Sequence, residues 1–141
     1  MGAFSNYLEL EILDHVLGNA AYTAPATVYI GLVLTATPCI DTTTGTTVAE
    51  PSGGSYARVS FTNNATNWPA ASGGSKSNGV TVEFAAATGS WGEVSQFFIA
   101  DAATLGNILV YGDLAVAKTI TSGDTAKFTG GTPGNIVVTL D

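Results

Sequence analysis

Seven short segments of alternating hydrophobicity, each bounded by Gly, Ser, Asn or Pro, constrain the fold of this chain more than any other feature. They are TVYIGLVL (27–34), YARVSFT (56–62), GVTVEF (79–84), VSQFFIA (94–100), NILVYGDLA (107–115), DTAKFT (124–129) and NIVVTLD (135–141). In the first, Val28, Ile30, Leu32 and Leu34 fall on one face, and Gly31 marks a bulge or the close approach of another chain. Short strands with regular turn signals and no intervening helical pattern exclude a parallel sheet with crossover helices. The expected fold is mainly β: an antiparallel β-sandwich, jelly-roll-like or a related barrel, with one N-terminal α-helix, in a single domain over 1–141.

The helix is expected over about 5–18, in SNYLELEILDHVLGN. Ser5 can cap the free amides at its start, and Gly18-Asn19 supplies a left-handed stop. Leu8, Ile12 and Val16 repeat every four residues with Leu13 and Leu17 beside them, while Glu9, Glu11 and Asp14 lie mostly off that stripe. Such a helix either packs on the sheet of its own domain or docks on a neighbouring subunit. Two connections, 35–55 and 63–78, are rich in Thr, Ser, Gly and Ala and exceed the usual loop length, as functional loops or extended arms do.

Of the 141 residues, 45% are hydrophobic and only 11% charged, so Thr, Ser, Asn, Gly and Ala must cover most of the surface. A surface of that kind repels neighbours weakly and suits burial against other subunits. Four Lys plus Arg against eleven Asp plus Glu give a net charge of −7, with no basic cluster. Neither a nucleic acid backbone nor an anionic membrane surface is an expected partner. The sequence shows no basic-then-apolar leader and no apolar run of about 20 residues, so synthesis and folding are expected in the cytoplasm.

Few residues offer chemistry. The stretch EPSGGSYARVSF (50–61) sets serines and two glycines beside Arg58, the only arginine. A phosphate-binding glycine loop opens a helix, whose N-terminal amides face the anion, whereas this one runs into a strand. Gly53-Gly54 is therefore expected to serve a tight turn, and Arg58 to pair with a carboxylate in its own subunit or across an interface. His15 is the only histidine and lies on the helix; nothing nearby in sequence supplies a serine and a carboxylate to complete a triad. One His and one Cys, Cys39, exclude an internal disulfide and a zinc site of thiolates and imidazoles. Asp101, Asp113 and Asp124 are scattered near strand ends and are expected to cap turns rather than hold calcium. Glu50, Glu83 and Glu93 show no pairing of the glycosidase type, although Trp68, Trp91, Tyr29, Tyr56 and Tyr111 could line a sugar cleft. No catalytic residue, cofactor or metal is expected.

In order along the chain, NYLELEILDHVLG, AYTAPATVYIGLVLTATP, SGGSYAR, WGEV running into FFIAD, and LVYGDL followed by K-T-I-x-x-G-D resemble a family of short bacteriophage virion proteins. Members of that family are labelled tail-fibre or head-decoration proteins. The resemblance implies a non-enzymatic β-sandwich that assembles symmetrically on the virion after synthesis in the host cytoplasm. The expected partners are copies of itself, as a trimer, and the major capsid protein or other virion proteins. No coiled coil or repeat is present to build a fibre shaft, which favours a capsid cement or decoration protein seated between capsomers. The alternative is a tail-associated fibre or a receptor- or carbohydrate-binding module. Leu8, Ile12, Val16, Tyr56, Arg58 and Trp68 are the candidate interface residues.

Overall fold

The computed structural model describes residues 2–140. Its elements in chain order are β1 (Gly2–Phe4), α1 (Asn6–Val16), β2 (Thr27–Leu34), β3 (Val59–Thr62), β4 (Ser75–Ser77), β5 (Val82–Glu83), β6 (Gly92–Ala100), β7 (Ile108–Ile120), β8 (Lys127–Phe128) and β9 (Val137–Thr139). A seven-stranded sheet runs in the order β3-β2-β6-β7-β1-β9-β4, and β5 pairs with β8 in a small second sheet. All pairs are antiparallel except β1 with β9, which run parallel where Gly2 faces Val138. The large sheet ends at β3 and β4, which do not pair with each other, so the architecture is an uneven sandwich and not a closed barrel.

Alternation along the central strands builds two apolar layers. Val28, Ile30 and Leu32 of β2 and Val94, Phe97 and Ile99 of β6 point inward, where Phe84, Trp91 and Phe128 meet them from the small-sheet side. The rings interlock edge to face, Phe97 with Phe128 at 5.8 Å and Tyr56 with Trp91 at 5.2 Å. At the other end Leu8 and Trp68 close the same layer. The outer face of the sheet is buried too: Val33, Phe98, Ala100 and Ile108 pack with Cys39 and Val48 from the connection after β2. The central strands are covered on both sides, which is why their middles read as continuous apolar runs.

Several boundaries differ from the sequence expectation, each for a local reason. The segment expected over 56–62 joins the sheet only at Val59, because Tyr56 and Arg58 turn to partners outside the ladder. The expected strands over 79–84 and 124–129 shrink to two residues each. The last, expected over 135–141, is three residues long, and Asp141 lies outside the described residues. The strand expected over 107–115 instead continues to Ile120 as β7. Within it, Asp113 faces Gln96 and Lys118 faces Val94, so Leu114 to Ala117 oppose Ser95 alone and bulge from the ladder. Two strands were not expected at all: β1, only three residues long, and the polar edge strand β4, inside the connection read as a loop over 63–78. Gly31 does mark a close approach. It faces Phe98 across β2 and β6, and a Cβ there would lie 2.2 Å from that ring, so the neighbour is a side chain of the same subunit.

Candidate assembly surface

Helix α1 begins where Ser5 locks the chain to the sheet. The Ser5 amide donates to the Leu109 carbonyl at 3.0 Å and its hydroxyl to the Ile108 carbonyl, while Oγ accepts from the Leu8 amide at 3.4 Å as an N-cap. Asn6 adds a bond from its amide to the Asp41 carbonyl at 3.1 Å. Gly18, at φ +82°, ends the helix in the left-handed conformation. These anchors fix its rotation. Leu8 is buried and Ile12 half-buried, but Val16, expected on the same stripe, is 71% exposed. The reason is the helical phase: Leu10, Leu13 and Leu17, at i, i+3 and i+7, form a second apolar line on the side away from the sheet, with Val16 beside it. They are 64%, 55% and 79% exposed. Glu9 and Asp14 stand exposed next to them. One face of the helix thus packs on its own sheet, the first of the two alternatives left open by its sequence, and the other presents leucines to solvent.

The remaining candidate interface residues are engaged inside the subunit. Arg58 has only 3% of its side chain exposed, and all five of its N–H groups have acceptors. Nε and Nη2 bind the Glu50 carboxylate, the closest contact being 2.6 Å. Nη1 donates to the Ala102 and Leu105 carbonyls at 2.9 Å each, and Nη2 also to the Gly45 carbonyl at 3.3 Å. The guanidinium carbon sits 4.9 Å from the Phe98 ring centroid, so the cation seals the outer apolar layer. Tyr56 accepts from the Leu32 amide at 2.9 Å and donates to Glu50 at 2.9 Å. Burial, and then the Glu50 charge, push its phenol far above the ordinary value. Trp68 is buried edge-to-face against Phe61 at 5.3 Å. Neither aromatic offers a free stacking face for a sugar.

The glycine turn, His15 and the aspartates make local hydrogen bonds. Gly53, Gly54 and Ser55 all take positive φ in the turn before Tyr56, the Gly54 carbonyl accepts from Trp91 Nε1 at 2.8 Å, and Ser55 pairs with Thr88. His15 Nδ1 accepts the Tyr22 amide at 3.1 Å. Asp101 holds Asn107, Asp113 accepts from Gln96, and Asp124 accepts from the amide and hydroxyl of Thr121, bonds that hold its carboxyl below the usual range. Burial pushes the Cys39 thiol up to about 11. Among the described residues, no three His, Cys, Asp or Glu side chains gather as metal ligands, and no helix is long and apolar enough to cross a membrane.

A family model described as Podophage GP4 fiber I protein gp80 matches residues 3–134. The chain belongs to that family. It is a family of phage virion structural proteins, and the virion is where its members belong. No curated protein matches the chain. Within this fibre-family fold, the segments that carried the sequence resemblance are framework: SGGSYAR supplies the turn, Tyr56 and Arg58; WGEV with FFIAD supplies Trp91 and β6; and LVYGDL lies in β7. The exposed leucines of α1 were missed as a set because Leu10 was not singled out, although its spacing to Leu13 and Leu17 was present in the sequence.

Proposed function

We propose that this member of the podophage fibre family works without catalysis, as an assembly unit that packs against copies of itself and against neighbouring virion proteins. The outer face of α1 carries the proposal. In a chain with so few charges, an ordered row of Leu10, Leu13 and Leu17 on a well-anchored helix is surface that burial against protein would stabilise. Many copies acting together then give avidity without any one strong contact.

The form of the subunit favours a cement or decoration role on the capsid, as trimers seated between capsomers. Among the described residues it is a sandwich with a short helix, and they hold no coiled coil or repeat from which a shaft could be built. The description of the family favours a second reading, in which the protein belongs to the fibre assembly of the tail. Electron microscopy of virions carrying gold-labelled antibody against this chain separates the two. Label over the head, together with weaker resistance to heat and osmotic shock in particles lacking the protein, supports decoration. Label confined to the tail, with head resistance unchanged, supports the fibre reading and overturns decoration.

A further inference from the structure

Asn78 and Gly79 form the chain's only Asn-Gly pair, and the packing around them demands both residues. Asn78 is fully buried. Its Nδ2 faces the Val80, Phe128 and Thr129 carbonyls at 3.0, 3.3 and 3.3 Å, and its Oδ1 accepts the Ile136 amide at 2.8 Å. That set needs a donor and an acceptor on one short planar side chain. At position 79, a Cβ would lie 2.7 Å from both Pro69 Cγ and the Thr66 carbonyl oxygen, so only glycine fits.

An Asn-Gly pair is also where a peptide chain most readily loses a side-chain amide, because glycine leaves the following backbone nitrogen unhindered. In that reaction the Gly79 nitrogen would attack Cγ of Asn78. The new C–N bond closes a five-membered succinimide, the Cγ–Nδ2 bond breaks, and ammonia leaves with the proton that the Gly79 nitrogen gives up. Water then adds to one of the two ring carbonyls and opens the ring, to aspartate or to isoaspartate.

In the fold, every group of that reaction is engaged. The nucleophile, the Gly79 amide, donates to the Asn67 carbonyl at 2.8 Å. The leaving nitrogen faces its three carbonyls, and the backbone of Asn78 is fixed on both sides, to the Ile136 carbonyl at 3.2 Å and from the Gly131 amide at 3.1 Å. Gly134 packs so closely that a Cβ there would overlap the Asn78 carbonyl and Oδ1. Attack therefore requires residues 66–69 and 128–136 to separate from the pair and admit water. After conversion the way back is closed. Aspartate would turn a buried charge toward three carbonyl oxygens, and isoaspartate would add a carbon to the main chain just before Gly79.

We infer that Asn78-Gly79 is a buried deamidation site, shielded while the fold is intact, whose conversion makes an opening of this corner irreversible. The chain belongs to a virion family, and a released particle cannot replace its subunits. The working life of a subunit is then a rate, set by how often this corner opens, and not only an equilibrium stability.

The experiment uses the purified full-length wild type, held in mildly alkaline buffer with and without denaturing guanidinium chloride. Samples are digested over time, and mass spectrometry follows the amide-to-acid mass gain of each asparagine peptide. In denaturant the Asn78 peptide should convert ahead of all others. In buffer its conversion should be at least about a hundredfold slower, since the open fraction of a stable domain is on the order of 10⁻³ or below. Denatured samples are then returned to buffer, and size exclusion separates refolded from misfolded chains. Converted Asn78 should collect in the misfolded fraction and be absent from the refolded one. Equal rates with and without denaturant would overturn the shielding, and converted Asn78 in refolded protein would overturn the irreversibility.

Discussion

Arg58 and Glu50 meet at 2.6 Å beneath the connection that follows β2, and through that pair one cation ties this connection to the turn between β6 and β7. Glu50 comes from the long connection itself, the Gly45 carbonyl from its middle, and the Ala102 and Leu105 carbonyls from the turn between β6 and β7. The planar fork of the guanidinium fits this set because it spreads five donors in fixed directions. The pair thus acts as the clasp that keeps the outer apolar layer of Phe98, Val33 and Cys39 covered.

Arg58→Ala is expected to cost about 3–5 kcal/mol of folding stability, since it leaves Glu50 without its partner in a largely buried site. Arg58→Lys should recover little, because one ammonium cannot replace five donors directed at Glu50 and at three carbonyls on two segments. Replacing both members, Arg58→Met with Glu50→Leu, should restore part of the loss and not all, because the three carbonyls stay without donors. Urea unfolding of the four proteins measures each difference. Equal stability of wild type and Arg58→Ala would show that the clasp has no energetic role.

Gly31→Ala is expected to destabilise by roughly 1–3 kcal/mol through overpacking. The added methyl would lie 2.2 Å from the Phe98 ring, and both strands are held by neighbours on each side, so neither can move away freely. Combining Gly31→Ala with Phe98→Leu should cost less than the sum of the two single changes, as expected for residues in direct contact. Thermal melts of the three variants test that coupling.

The parts of this fold legible in the sequence are those where burial imposes a period. β2 matches its expected bounds because inward and outward positions alternate between two apolar layers, and α1 is marked by Ser5 and Gly18 at its ends. The small strands are not legible because their pairing depends on distant partners: Ser75–Ser77 is a strand only through β9, and its side chains carry no apolar signal. Arg58 stood out as the lone arginine, but the choice between an internal and an external acid depended on loop geometry that no local pattern encodes. Asn78 was invisible for the same reason, although it is fully buried.

That asparagine bridges both sheets. Its amide nitrogen faces the Val80, Phe128 and Thr129 carbonyls at 3.0 to 3.3 Å, and its side-chain oxygen accepts the Ile136 amide at 2.8 Å. Asn78→Ala should cost about 1–3 kcal/mol for the polar groups left unpaired, with a further loss from the space vacated. Asn78→Asp keeps the shape but turns a carboxylate toward three carbonyl oxygens, and it should be the more damaging of the two at neutral pH. Denaturation midpoints decide the order.

Tyr111 supplies a pH-dependent signature of the link between β7 and the connection after β2. Its hydroxyl donates to the Asp41 carboxylate; this bond, then burial, raises the phenol to about 12 from its ordinary 10.0. Because the folded-state value is the higher one, the stabilisation is present in full below pH 10 and is lost as pH rises through about 12. Ultraviolet titration of the tyrosinate band in wild type and Asp41→Asn should show one phenol whose midpoint falls in the variant. Identical titration curves would mean that the bond does not hold in solution.

Ser5 ties the stability of α1 to the face that the helix presents. A buried hydroxyl that both caps α1 and donates to the Ile108 carbonyl sets the rotation of the helix, and that rotation decides which leucines face outward. Ser5→Ala should cost about 1–2 kcal/mol as a lost cap, with a further penalty for the carbonyl left unpaired. Ser5→Thr retains the hydroxyl but adds a methyl at a site 1% exposed, so it should fold with intermediate stability. If the outward leucine row is what the virion binds, incorporation of Ser5→Ala into particles should fall by more than its folded fraction explains, because a helix free to turn presents the wrong side. Incorporation that simply follows the folded fraction across both variants would separate the cap from assembly and leave Ser5 a purely structural residue.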